Sequence, residues 1–190
     1  MNKRAYFDWN ATAPLREVSK AAMTQAMSNF GNPSSIHTEG RKAKAIIETA
    51  RIQIAEAFGA GNSDIIFTSG ATEAAAIALR TREIECAGVE HPCILSNCVE
   101  NLSTDGNGQI LISKAQCSTM QSANSETGIL QNIPAGVFLS DFVQSFGKIP
   151  SSFDWSDVMS GILSAHKIGG PKGVGALVIR SDIEVYDLLK

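Results

Sequence analysis

The segment Ser164-Ala165-His166-Lys167-Ile168-Gly169-Gly170-Pro171-Lys172-Gly173-Val174-Gly175 sets a lysine between a hydroxyl and an imidazole and follows it with a glycine-rich turn. A lysine amine does chemistry when its pocket holds it ready to capture a carbonyl. The glycines let the backbone turn sharply and come close to a ligand. The segment is not a nucleotide phosphate loop: Gly173 follows Lys172, and the G-x-x-x-x-G-K-[ST] spacing is missing.

Three other clusters upstream complement that amine. The short apolar run 64–68 reads as a buried strand, and Ser69-Gly70-Ala71-Thr72-Glu73 leads from it into the alanine-rich 74–79, a helix by composition. A strand, a glycine turn and a helix start make an anion site, because free amides and the helix dipole face the ligand. Thr72 could add a hydroxyl there, or could simply cap the helix with Glu73 in its first turn. Asp141 follows the apolar run 137–140, with Gln144 three residues later, and His91 precedes Pro92. Ligands of parallel sheets bind beyond the carboxyl ends of the strands, where Asp141 would sit.

Together these are the requirements of pyridoxal 5'-phosphate: an amine for its aldehyde, a carboxylate for its ring nitrogen and an amide-rich cradle for its phosphate. Lys167 would be the amine and Asp141 the ring carboxylate, through a charge-assisted bond of about 1.5–3 kcal/mol. Gln144 could donate to the ring's phenolic oxygen. Thr72, Ser164 and His166 could hold phosphate, while His91 could stack on the ring and shuttle protons.

The elements that must position these groups follow from periodicity. Residues 10–14 read as an irregular arm, and Pro14 suits a helix start. Val18, Ala22, Met27 and Phe30 define one apolar face of a helix over 15–30, which 31–35 breaks. A longer helix spans 36–58, with Gly59 as its stop. Residues 84–89 read as a short strand and 91–101 as a helix. Asp105-Gly106-Asn107-Gly108 is a turn leading to a strand at 109–112. Further strands are expected at 117–122, 137–140 and 176–179. Strands alternating with helices predict an α/β domain with a mostly parallel or mixed sheet flanked by helices.

Composition fits an ordinary globular domain: 190 residues, 44% apolar, 18% charged and a net charge of −3. That charge gives no basis for binding nucleic acid or an anionic membrane. No apolar run reaches 18 residues and no secretion signal is visible, so a cytoplasmic location is expected. Cys86, Cys93, Cys98 and Cys117 match neither a C-x-x-C pair nor a zinc spacing, and reduced thiols without a metal are expected.

Six ordered motifs resemble those of the cysteine desulfurases, in the class V aminotransferase group of fold-type I pyridoxal phosphate enzymes. They are Tyr6-Phe7-Asp8-Trp9-Asn10-Ala11-Thr12-Ala13-Pro14-Leu15, Gly31-Asn32-Pro33-Ser34-Ser35-Ile36-His37, Phe67-Thr68-Ser69-Gly70-Ala71-Thr72-Glu73, Glu90-His91, Asp141-Phe142-Val143-Gln144-Ser145-Phe146-Gly147-Lys148 and Ser164-Ala165-His166-Lys167. The resemblance implies that Lys167 bonds the cofactor, His91 stacks on it and Asp141 and Gln144 contact its ring. Thr72, Ser164 and His166 would then ligate phosphate, with Ala71 a further cofactor contact. Lys172 lies outside the matching position.

Ala123-Asn124-Ser125-Glu126-Thr127-Gly128 resembles the family's A-N-N-E-x-G motif, with Ser125 in place of the second asparagine. Asn124 and Ser125 are the substrate-binding candidates. The family also implies a second part of comparable length, carrying the sulfur-accepting cysteine and a substrate-binding arginine, and neither is assignable within 1–190. The expectation is an arm at 1–14 and a shortened cofactor-binding domain at 15–190 without the C-terminal small domain. By resemblance the substrate is L-cysteine, converted to L-alanine as sulfur passes to an enzyme thiol and on to iron-sulfur clusters or thio-cofactors. A homodimer and a sulfur-acceptor or scaffold protein are the implied partners. The alternatives are another class V enzyme, such as a selenocysteine lyase, or a shortened noncatalytic binding or dimerisation module.

Overall fold

The computed structural model describes residues 4–183; residues 1–3 of the expected arm and 184–190 of the expected domain lie outside them. Helices α1 and α2 span Glu17–Met27 and Thr38–Phe58, and α3 spans Ala71–Leu79. Gly59 stops α2 at φ 59°, a left-handed conformation that costs glycine little. The strands are β1 Ser63–Thr68, β2 Glu85–Ala87, β3 Val99–Leu102, β4 Thr119–Gln121, β5 Leu139–Asp141, β6 Ser160–Ser164 and β7 Gly175–Arg180. Two one-turn helices, α4 Pro92–Leu95 and α5 Phe153–Ser156, and two 3-10 turns, Ala115–Cys117 and Ala165–Lys167, complete the described elements.

Among the described residues, five strands form a mixed sheet in the order β1-β7-β6-β5-β4, and β2 pairs with β3 in a parallel ribbon. β4, β5 and β6 run parallel, while β7 is antiparallel to both β6 and β1. Side chains alternate between the two faces, as strand geometry requires. On β7, Ala176 and Val178 join the cluster that contains Phe58 of α2, while Leu177 joins the cluster of Ala74, Ala78 and Leu79 on α3. The sheet is thus covered on both faces, the α/β arrangement expected. Directions follow from the pairing: β1, β4, β5 and β6 all end, and β7 begins, along one edge.

Four expectations need correction. Helix α1 forms, but none of its residues is buried: Val18 is 66% exposed and Met27 77%, with Phe30 just beyond at 88%. Helical spacing selects the side that could be covered, and none of the described chain covers it. The helix expected over 91–101 is one turn long. Ser96 and Asn97 both donate side-chain hydrogen bonds to the Cys93 carbonyl at its end, and Val99 then enters β3. The strand expected at 109–112 shrinks to a single bridge between Ile110 and Thr104, its Ile110 amide donating to the Gln131 side chain. The strand over 84–89 is confined to β2.

Candidate active site

Strand register assembles the site. At the shared edge Thr68 pairs with Gly175 and Gly175 with Ser164, while Asp141 pairs with both Ile162 and Gln121. The last residues of β4, β5 and β6, with Ser69 just past β1, therefore lie around a cavity of about 510 Å³. Lys167, Asp141, His91, Thr72, Ser164 and His166 all line it, as do Ala71, Gln144 and Ser125. These nine residues are spread over nearly a hundred positions of the chain, and it is the sheet that gathers them.

One wall is the start of α3. Gly70 is the residue preceding the helix and brings no side-chain cap. The amides of 71–73 thus lack intrahelical partners, and the helix dipole there favours an anion by about 0.3–1 kcal/mol. Thr72 lies within the helix rather than at its cap. The Ser69 amide donates to Glu73 Oε2 at 2.5 Å, which holds that carboxyl below its ordinary range. A glycine is required at 175: a β-carbon there would lie 2.6 Å from the Gly70 backbone, so the loop could not rest on the start of β7.

Lys167 closes a turn of 3-10 helix, Ala165–Lys167, directly after β6. It is half-buried, and Nζ donates to the carbonyls of Asn10 at 2.5 Å and Ala11 at 3.0 Å. Burial lowers its pKa, opposed by the carboxylates of Asp141, Asp8 and Glu126. The arm that supplies those carbonyls is pinned across the cavity mouth. The Ala13 amide donates to the His166 carbonyl at 2.8 Å, and Asn10 Nδ2 donates to the Ser125 carbonyl at 2.9 Å. His166 Nδ1 lies 3.1 Å from Thr12 Oγ1; burial lowers the imidazole's pKa, and the charges of Lys167, Lys172 and Lys148 lower it further.

Asp141 ends β5. Desolvation raises its pKa, while the Val143 amide donating to Oδ1 at 2.8 Å and the nearby His91 and Lys167 work the other way. Gln144 lines the same wall but donates through Nε2 to the Asn10 carbonyl and accepts from Lys148 Nζ. His91 caps α4: its Nδ1 accepts from the Cys93 amide at 3.2 Å. That bond leaves the proton of the neutral ring on Nε2.

Asn124 does not line the cavity. Its Oδ1 accepts from the Glu126 and Thr127 amides and its Nδ2 donates to the Val89 carbonyl, so it shapes the loop that presents Ser125. Sequence reading passed over Ala11, Thr12, Gln121 and Cys93, and set Lys172 aside; all five line the cavity. Gln121 had a usable signal, since it lies near the end of the run 117–122 expected to be a strand, much as Asp141 follows the run 137–140. The arm had none, because nothing local ties residues 10–13 to position 167.

The thiols are placed differently from one another. Cys93 is buried beside His91 Nδ1 at 3.0 Å, and desolvation pushes it up to about 12. Cys98 is pushed up to about 12 for the same first reason, and Cys86 is raised by burial too. Cys117 is exposed but precedes β4, at the end of the sheet away from the cavity. Among the described residues no group of histidines, cysteines and carboxylates could hold a metal, and no helix is long and apolar enough to cross a membrane.

The family model of the class-V aminotransferases matches residues 5–104 and 99–186. A cysteine desulfurase of Trichormus azollae is 35% identical over 97% of the chain and 55% of its own length. The X-ray structure of a NifS-like protein from Rickettsia africae superposes with a TM-score of 0.87 at 30% identity, covering 98% of this chain and 61% of that one. A structure of SspA in complex with cysteine superposes with a TM-score of 0.82 at 26% identity, over 97% and 64% of the two chains. The chain spans about half the length of the curated relatives it matches.

Proposed function

The chain belongs to the class-V aminotransferase family, and on that premise we propose that it is the cofactor-binding part of a cysteine desulfurase that holds pyridoxal 5'-phosphate on Lys167. The observation that carries this reading is the meeting of Lys167, Asp141 and the uncapped start of α3 in one cavity. The donor set fits that cofactor: an amine, a carboxylate and an amide cradle stand on separate walls. When bound, pyridoxal 5'-phosphate supplies an electron-accepting ring that stabilises charge on the substrate's α-carbon.

The chain's own groups have distinct tasks. The amides of 71–73, with Thr72, Ser164 and His166, bind the phosphate end. Asp141 would hold a proton on the ring nitrogen, and the Val143 amide donating to its Oδ1 fixes that carboxylate in place. Lys167 would supply the amine that holds the cofactor and the base for the substrate's α-proton, and burial lowers its pKa. His91, with Nδ1 engaged by the Cys93 amide, would stack on the ring and move protons at the leaving group. Ser125, with Asn124 shaping its loop, faces the substrate side.

L-cysteine is the proposed substrate, in line with the cysteine complex of SspA. Its sulfur would pass to a thiol on a protein and from there toward iron-sulfur or thio-cofactor assembly. The family reaction also motivates a homodimer and an acceptor or scaffold protein, in the cytoplasm, where the four free thiols stay reduced. One observation favours a narrower role for these residues: Cys93, the cysteine lining the cavity, is buried with its pKa raised, so it is not a ready sulfur acceptor. That narrower role predicts cofactor binding without alanine release.

Absorbance of the purified chain with added pyridoxal 5'-phosphate tests the reading, with Lys167→Ala beside it. A borohydride-sensitive band in the wild type that Lys167→Ala lacks is expected. Its survival in a folded Lys167→Ala protein would overturn the lysine assignment.

A further inference from the structure

Glu90 is the buried carboxyl group that the roles above leave unused. It stands between β2 and α4, one residue before His91, and is only 4% exposed. Its Oε1 accepts from the Gln121 amide at 2.8 Å, while Oε2 has no hydrogen-bond partner among the described residues. Thr119 Oγ1, two residues away on β4, is the other buried side-chain atom without one, and the hydroxyl lies in electrostatic reach of the same carboxyl. Gln121 Nε2 and Asn124 Nδ2 both donate to the Val89 carbonyl, at 3.1 and 3.0 Å. Residues 89 and 90 are therefore stitched to the end of β4 by three hydrogen bonds, and His91 follows at once. The same Gln121 pairs in register with Asp141, whose carbonyl accepts from the Ser122 amide at 2.8 Å.

Resting on the cofactor reading above, we propose that Glu90 is a positioning residue of this site: its bond to the Gln121 amide ties His91 to the end of β4, and its buried, unpartnered Oε2 carries a proton. Two carboxylates this close are not both ionised cheaply, and their surroundings decide which keeps the proton. Burial raises the Asp141 carboxyl as well, and its Val143 amide donor, His91 and Lys167 oppose that rise. Glu90 has the Gln121 amide and the Thr119 hydroxyl to favour its charge, against burial and Asp141 on β5; the thiols of Cys86 on β2, Cys93 on α4 and Cys98 before β3 also face it, and none of these is cationic. Burial and the Asp141 charge raise the Glu90 carboxyl to about 8.

The sign of the consequence is fixed by linkage. The unfolded chain ionises Glu90 at its ordinary value while the folded chain keeps the proton, so stability falls as pH rises from the ordinary glutamate value to about 8 and levels off above it. Thermal unfolding of the cofactor-free chain between pH 5 and 9, with Glu90→Gln beside it, measures this. The melting temperature of Glu90→Gln should gain on that of the wild type as pH rises; parallel curves would overturn the retained proton. Positioning is read separately at pH 7, from the dissociation constant of pyridoxal 5'-phosphate. Glu90→Ala should bind at least about tenfold more weakly than Glu90→Gln, which keeps an acceptor for the Gln121 amide; equal affinities would overturn the positioning role. If wild type gives no cofactor band at all, the cofactor reading fails, and the melting curves still judge the proton on Glu90.

Discussion

The sheet edge around the cavity and the stretch before α2 distribute their side chains in opposite ways. At the edge, polar groups lie inside: Glu90, Gln121, Asn124 and Ser164 are all buried; Glu90 accepts from the Gln121 amide, and Gln121 and Asn124 donate to the Val89 carbonyl. In the stretch from 7 to 36, apolar groups lie outside, with Phe7, Val18, Met27, Phe30 and Ile36 between 66% and 90% exposed. Residue type alone predicts the reverse. Burial follows from what the fold can put opposite a side chain: at the edge, strand ends supply hydrogen-bond partners, whereas α1 meets no packing surface among the described residues.

This contrast makes mutations unequal by place rather than by chemistry. Phe58 is fully buried, with the rings of Phe142 and Phe146 at 4.9 and 5.1 Å. Phe58→Ala should cost about 3–5 kcal/mol in denaturant unfolding. Next comes Gly175→Ala, whose methyl would meet the Gly70 backbone at 2.6 Å. A loss of about 1–3 kcal/mol is expected, with weaker phosphate binding because the cradle loop must shift; unchanged affinity for pyridoxal 5'-phosphate would show that the loop does not form the cradle. Phe30→Ser should change stability by less than about 0.5 kcal/mol. A Phe30→Ser effect as large as that of Phe58→Ala would mean that the amino-terminal face is covered in solution, and the contrast would dissolve.

Legibility in the sequence divides along similar lines. Helix α2, its Gly59 stop and strand β1 announce themselves through local spacing and turn chemistry, and the structure places them within two residues of expectation. Strand β6 did not: Ser160-Gly161-Ile162-Leu163-Ser164 is too short in β-formers, and is a strand because β5 and β7 flank it. Residues 91–101 misled because the same apolar set suits a helix or a turn followed by a strand, and long-range pairing with β2 decided between them. In the site, Lys167, Asp141 and Thr72 stand out through their neighbours in sequence. The arm over Lys167 and the Gln121–Glu90 bond do not, since each joins segments distant along the chain.

The most direct test is to locate the cofactor's covalent attachment. The folded chain is incubated with pyridoxal 5'-phosphate, reduced with borohydride, digested and mapped by mass spectrometry. Lys167 and Lys172 both line the cavity, so the measurement has a built-in competitor. The reduced cofactor should be on the peptide containing Lys167, with Lys172 unmodified. Attachment to Lys172 or another lysine, or none in folded protein, would contradict the account.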